Sequence, residues 1–259
     1  MSKVAFCLIF ILAFTSQSSA ERETLKYVFT HYPPANYRSH DGEYRGFLVD
    51  IVREAITKRL GIPLSIAIFP WKRCQMLVEE GEADMLTTIP TPERSVFTVT
   101  PQRPIWVKEW RIHTYEGHPQ RQSFDAMSSI GDLKSHGVTV ISYIGNGWSK
   151  THLEDAGIRI FNATMVDGMY RMLAAKRGDI LLEDGILAAP ALKHLGLEDK
   201  VVPTQGVVAT SDFHMLIGKR SPFAGIVPRL ETVIKEMWED GSIERIVAQY
   251  RSNGQSESQ

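Results

Sequence analysis

Cysteine is almost missing from this sequence: of the two present, Cys7 lies in an apolar leader and only Cys74 stands beyond it. An intramolecular disulfide framework is thereby excluded for the body of the chain, and a chain of this length needs none. An excess of charge of one sign is missing as well. The formal net charge is -1 at pH 7 and moves to -2 if the leader carrying Lys3 is removed, so nothing argues for nucleic acid or an anionic membrane as partner. Catalytic signatures are absent: there is no Gly-x-Ser-x-Gly, no His-Glu-x-x-His and no clustered metal spacing among the eight histidines. No cofactor and no metal is implied.

The leader itself is informative. Lys3 supplies a positive start, residues 4–14 form an apolar run too short to span a bilayer, and Ser18-Ser19-Ala20 offers the small residues of a cleavage site. The pattern predicts a secretory signal peptide over residues 1–20, cut after Ala20, and a periplasmic, monomeric mature protein. A membrane anchor ranks well below, because no stop-transfer pattern follows. Cys7 sits inside the apolar run rather than at its end, which does not suit lipoprotein acylation.

Beyond the leader, two stretches share one element order. Residues 27–30 read as a strand ended by Pro33-Pro34, which leaves Tyr32 on a loop. Residues 47–60 carry apolar columns at helical spacing and stop at Gly61; residues 64–68 alternate as a strand; 71–80 are helical up to Gly81; 83–87 are the next strand. The same order returns as strand 138–142, helix 148–154, strand 159–161, helix 165–176 and strand 180–182. Strand, helix, strand, helix, strand implies right-handed crossovers and a parallel sheet. "EEGEADML" and "AAKRGDIL" match in outline, each with an acidic residue opening its strand, a weak repeat that favours two similar α/β lobes. Between them "PIWVKEWRIHTYEG" alternates like a crossing strand, and "DFHMLIGK" reads as a second one. Helices are expected at 230–237 and 243–250, and a disordered polar tail at 252–259. The lobes expected are 21–108 with 212–259, and 109–211.

Open parallel sheets take ligands beyond the carboxyl ends of their strands. Arg94, Thr87 and Tyr32 lie past such ends in the first half, and Glu183 and Asp184 past the matching end in the second. Facing lobes would therefore line one cleft with a guanidinium on one wall and carboxylates on the other. The alternative for Arg94 is a surface pair with Glu93 or Asp84.

Four segments carry a resemblance: "YPPANYRSHDGEYRGFLVDIVREAITKRLG", "GEADMLTTIPTPERSVFTVTP", "KRGDILLED" and "SPFAGIVPRLETVIKEMWEDGSIERIVAQY". In that order and spacing the chain resembles the bacterial extracellular solute-binding proteins of family 3, periplasmic receptors for polar amino acids and related solutes. The resemblance implies an α/β, two-lobed Venus-flytrap fold of the type II periplasmic binding proteins, with two crossing strands as hinge. It also implies roles: Arg94 for a ligand carboxylate, Asp184 for its ammonium, Tyr32 as an aromatic cover, Thr87 as a lining hydroxyl and Trp71 as a side-chain contact. A guanidinium fork suits a carboxylate. Asp184 also suits the N-cap of a helix over 185–195, and Trp71 equally suits the core. Tyr143, beside Gly145-Asn146-Gly147, precedes a helix whose amides face an anion site or simply close a loop.

Two positions depart from the pattern. Where many amino-acid receptors have a serine or threonine five residues before the arginine, this chain has Ile89, and Pro90 then removes a backbone donor. A smaller acid, a modified amino acid or a peptide fragment therefore stays open as ligand. The leading expectation is a non-catalytic binding protein serving an inner-membrane ABC permease. The alternatives are a cyclohexadienyl or arogenate dehydratase-like enzyme, with Glu183 as acid and His31 or His214 near the cleft, and a sensory subunit docked on a membrane sensor.

Overall fold

The computed structural model describes residues 23–144 and 146–253. The leader assigned to residues 1–20 lies outside the described residues, and so do positions 254–259 of the polar tail. Eleven strands follow in chain order: β1 (Leu25–Phe29), β2 (Tyr37–Arg38), β3 (Tyr44–Arg45), β4 (Leu64–Ile68), β5 (Met85–Thr88), β6 (Thr98–Val99), β7 (Trp106–Tyr115), β8 (Thr139–Tyr143), β9 (Arg159–Ala163), β10 (Ile180–Glu183) and β11 (Val201–Gly218). All but the small β2–β3 hairpin join one sheet in the order β4-β1-β5-β11-β7-β10-β8-β9, with β6 on β11.

That order is the same from either edge. In the first lobe β1 pairs in parallel with β4 and β5, and β5 then meets β11 antiparallel. In the second, β8 pairs in parallel with β9 and β10, and β10 meets β7 antiparallel. The long strands β7 and β11 pair with each other in the middle and carry the chain between lobes. This is the mixed α/β, two-lobed architecture with two crossing strands expected from the sequence.

Period-two alternation splits each sheet between two apolar layers. In the first lobe Tyr27, Phe29 and Met85 face the helix Phe47–Val52, while Val28 and Leu86 face Cys74 and Val78 on the opposite side. In the second, Val140, Ile180 and Leu182 join Trp110 and Ile112, while Ile141 and Leu181 join Tyr170 and Leu173. Because both faces of each parallel sheet are covered, these strands read as apolar runs.

Several boundaries move. The helix expected over 47–60 is α-helical at Phe47–Val52 and widens to π-helix at Arg53–Arg59, where Leu60 N donates to Ala55 O. The helix expected at 148–154 divides in the same way into Gly147–Ser149 and a π-helical Lys150–Glu154. β11 is one strand of 18 residues that absorbs Val201, Val202 and Pro203, and its register against β7 slips between Pro203 and Val207. A proline is tolerated at such an irregularity because no ladder donor is required there. The last helix, Ser242–Asn253, also reaches two residues into the segment expected to be a disordered tail.

Candidate functional site

Arg94 owes its place to the short helix Pro92–Phe97. Thr91 caps Pro92–Phe97 by accepting from Arg94 N, and Pro92 sits in the first turn, where its missing N–H costs nothing. The guanidinium then folds back over the end of β5: Nη1 donates to the Ile89 carbonyl (2.7 Å) and Nε to Gln75 Oε1 (3.1 Å). Its carbon lies 5.3 Å from the centre of the Trp71 ring, a cation–π contact at the first residue of the helix Trp71–Glu80. Burial lowers Arg94 from its ordinary value, and no ion pair to Arg94 forms among the described residues. Asp84, the surface partner considered above, is instead occupied by Lys26 N and Ser221 Oγ, each at 2.7 Å.

Ile89 links the two walls. Its carbonyl holds Arg94, and its side chain packs against the second-lobe cluster that contains Trp110 and Trp148. Those two indoles stack at 3.8 Å between ring centres.

On the facing wall, Glu183 ends β10 and is almost fully buried. It accepts from Lys108 Nζ at 2.5 Å, from Tyr32 Oη at 2.7 Å and from Asp184 N at 2.9 Å. Lys108 is buried as well; its ammonium also donates to Tyr32 Oη (3.3 Å) and lies 4.1 Å from the centre of the Trp110 ring. Tyr32 belongs to the first lobe, so the Glu183 carboxylate of the second is latched by a phenol 151 residues away in sequence. Gly46 helps to hold the Tyr32 loop: at φ 126° its backbone passes so close to Ala35 that a Cβ would meet the Ala35 carbonyl at 2.1 Å. Burial first, then the Glu183 charge, raise the phenols of Tyr32, Tyr143 and Tyr170 above their ordinary values, which keeps them as donors.

Asp184 opens the helix Gly185–Leu195. Its Oδ1 accepts from Ile186 N (3.0 Å) and its Oδ2 from Glu109 N (2.8 Å) on β7, so the carboxylate caps a helix and ties it to a crossing strand. Burial raises Asp184, and those two N–H groups oppose the rise. The helix start packs Ile186 and Leu187 against the first-lobe core, while Ala188 and Leu192 pack in the second. A cavity of about 500 Å³ is lined by Glu109, Arg111, Asp184, Pro190 and Tyr250 rather than by Arg94 or Glu183.

The sequence-derived residues thus separate. Tyr32 meets Glu183, Tyr143 feels the Glu183 charge, and Trp71 stacks with Arg94. Thr87 turns into the first-lobe core, where its hydroxyl meets Tyr27 Oη at 2.7 Å. His31 is exposed, and His214 is buried with its ring nitrogen donating to the Pro101 carbonyl (3.0 Å). Lys108, Trp110, Gln75 and Tyr170 were not anticipated. Lys108 had one signal: it occupies an apolar register in β7, alternating with Trp106 and Trp110, where a lone cation needs a buried partner.

Solved structures of the same fold include a mutant of the arginine-binding protein from T. maritima (18% identity, TM-score 0.67, covering 88% of this chain and 95% of that one). Two others are an ancestral arginine-binding protein bound to arginine (20%, 0.66, 88% and 97%) and a histidine kinase sensor domain with similarity to periplasmic binding proteins (18%, 0.69, 88% and 96%). No curated protein sequence matches the chain significantly. The sequence model of the bacterial extracellular solute-binding proteins, family 3, matches residues 27–253, and together with the paired lobes and the cleft between them this makes the chain a member of that family.

Proposed function

We propose that this protein captures a small zwitterionic or anionic, amino-acid-like solute between its lobes and presents the closed form to an inner-membrane ABC permease. The observation that carries the reading is Arg94. It is a half-buried guanidinium at the carboxyl end of β5, held by a carbonyl, an amide and an indole face, and it forms no ion pair among the described residues. A bidentate carboxylate ligand would complete it, each charged hydrogen bond contributing about 1.5–3 kcal/mol. Arginine binding in the relatives named above supports an amino-acid-like solute, and the family supports export.

The division into 21–108 with 212–259 and 109–211 places Arg94 and Glu183 on opposite lobes. A ligand touching both then favours closure, because it binds the closed form better than the open one. A monomeric periplasmic protein beginning at Glu21 is the expected mature form, which N-terminal sequencing of the exported protein checks. Among the described residues no helix is long and apolar enough to cross a membrane. Thermal shift against small carboxylates and amino acids tests the reading. A ligand at a hundredfold excess over Kd adds about 2.7 kcal/mol, and Arg94→Ala should abolish the shift.

One second reading has an observation behind it: the kinase sensor domain shares the fold, so the same closure would serve a membrane sensor. A dehydratase role for Glu183 is less well supported, because that carboxylate accepts from three donors and is held in an ion pair.

A further inference from the structure

We propose that Lys108 is a built-in cation that selects against a ligand ammonium, so that the cleft takes a carboxylic acid without an α-amino group. This inference rests on the solute-binding reading and deepens it. Two carboxylates stand at the end of β10, and both are already engaged. Glu183 is paired at 2.5 Å with Lys108 and also accepts from Tyr32 Oη and Asp184 N. Asp184 has one oxygen on Ile186 N and the other on Glu109 N.

A ligand ammonium reaching this wall would meet like charge from Lys108, or would have to evict it from a pair whose side chains are 4% and 1% exposed. Tyr32 donates to the same carboxylate at 2.7 Å, and burial followed by the Glu183 charge raises Tyr32, Tyr143 and Tyr170 above their ordinary values. A protonated phenol supplies no counter-charge to a cation. Lys108 and Glu183 neutralise each other, Asp184 is held by two backbone N–H groups, and Arg94 on the facing wall is held by a carbonyl, an amide and an indole face. The ammonium place beside Glu183 is thus filled from within by Lys108, so a carboxylate on Arg94 is best joined to a hydroxyl or carbonyl where an amino acid carries its ammonium.

The test uses matched pairs that differ in one group: L-lactate against L-alanine, L-phenyllactate against L-phenylalanine, and 2-hydroxyglutarate against L-glutamate, each titrated calorimetrically into the purified protein. The hydroxy acid of at least one pair should bind tenfold or more tightly than its amino counterpart, and Lys108→Met, which frees Glu183, should reverse that order. Because the single variant leaves a buried carboxylate alone and is at risk of misfolding, Lys108→Met combined with Glu183→Gln supplies a neutral version. With the Lys108 cation gone it should lose most of the hydroxy-acid preference, and a preference unchanged from the parent would overturn the role given to Lys108. Amino-acid binding equal to or tighter than hydroxy-acid binding in the unaltered protein would overturn the inference while leaving solute capture intact. No binding from either series, with Arg94→Ala indistinguishable from the parent, would overturn the solute-binding reading and this inference with it.

Discussion

The two lobes are built on one plan and finished differently. In each, the third parallel strand is preceded by an aspartate that clamps the start of the first: Asp84 Oδ2 accepts from Lys26 N at 2.7 Å, and Asp179 Oδ2 from Thr139 N at 2.6 Å. The backbone returns the bond in both cases, Asp84 N to Lys26 O and Asp179 N to Thr139 O, each at 2.9 Å. The weak repeat in the sequence is therefore one structural device used twice, and it closes the amino-terminal edge of each parallel sheet. At the carboxyl end the plans part. β5 ends in hydroxyls and leads to a guanidinium that forms no ion pair among the described residues, whereas β10 leads to two carboxylates already occupied by a lysine and by backbone amides. Scaffold is shared where backbone groups must be satisfied, and differs where side chains are left to meet a ligand.

The largest effect should come from unbalancing the second lobe alone. Glu183→Ala leaves the Lys108 ammonium buried without its partner, which should cost about 3–5 kcal/mol in chemical denaturation. Thr87→Val at the equivalent end of β5 removes only a neutral hydroxyl bond to Tyr27, worth about 1 kcal/mol. Equal losses at the two positions would break the contrast.

Acid should also reach the lobes unequally. Burial lowers His113 on β7 from 6.5 to about 4, and lowers His214 on β11 by less. A base whose folded value is depressed contributes stability above its unfolded value and loses it as the pH falls through the folded one. Unfolding free energy should therefore drop between pH 6.5 and about 4, with up to about 3 kcal/mol from His113. Replacing His113 with Phe should flatten that slope more than replacing His214, as read from denaturant midpoints against pH.

The shared clamp gives the smallest contrast. Asp84 is buried and also accepts from Ser221 Oγ, while the Asp179 side chain is 35% exposed and shares its second oxygen with His118. Asp84→Ala should cost about 2–3 kcal/mol and Asp179→Ala about 1 kcal/mol, since water can replace part of the lost bond at the exposed site. Matching values would mean that both clamps are equally dry.

The alternating and helical apolar patterns, with Gly61 and Gly81 as stops, are local signals, and they determined the repeated strand–helix order and the two-lobed fold. The same signals placed Arg94 and Glu183 at strand ends. Asp184 as a helix cap was legible too, because capping is decided within a few residues. What the tertiary structure alone decided is which polar groups meet. Lys108 on a crossing strand finds Glu183, and Tyr32 reaches both from a first-lobe loop, because the sheet order sets β7 beside β10 and that loop packs over them. Thr87 was drawn inward by Tyr27 for the same reason: strand alternation fixes the face a side chain takes, but only packing decides what waits there.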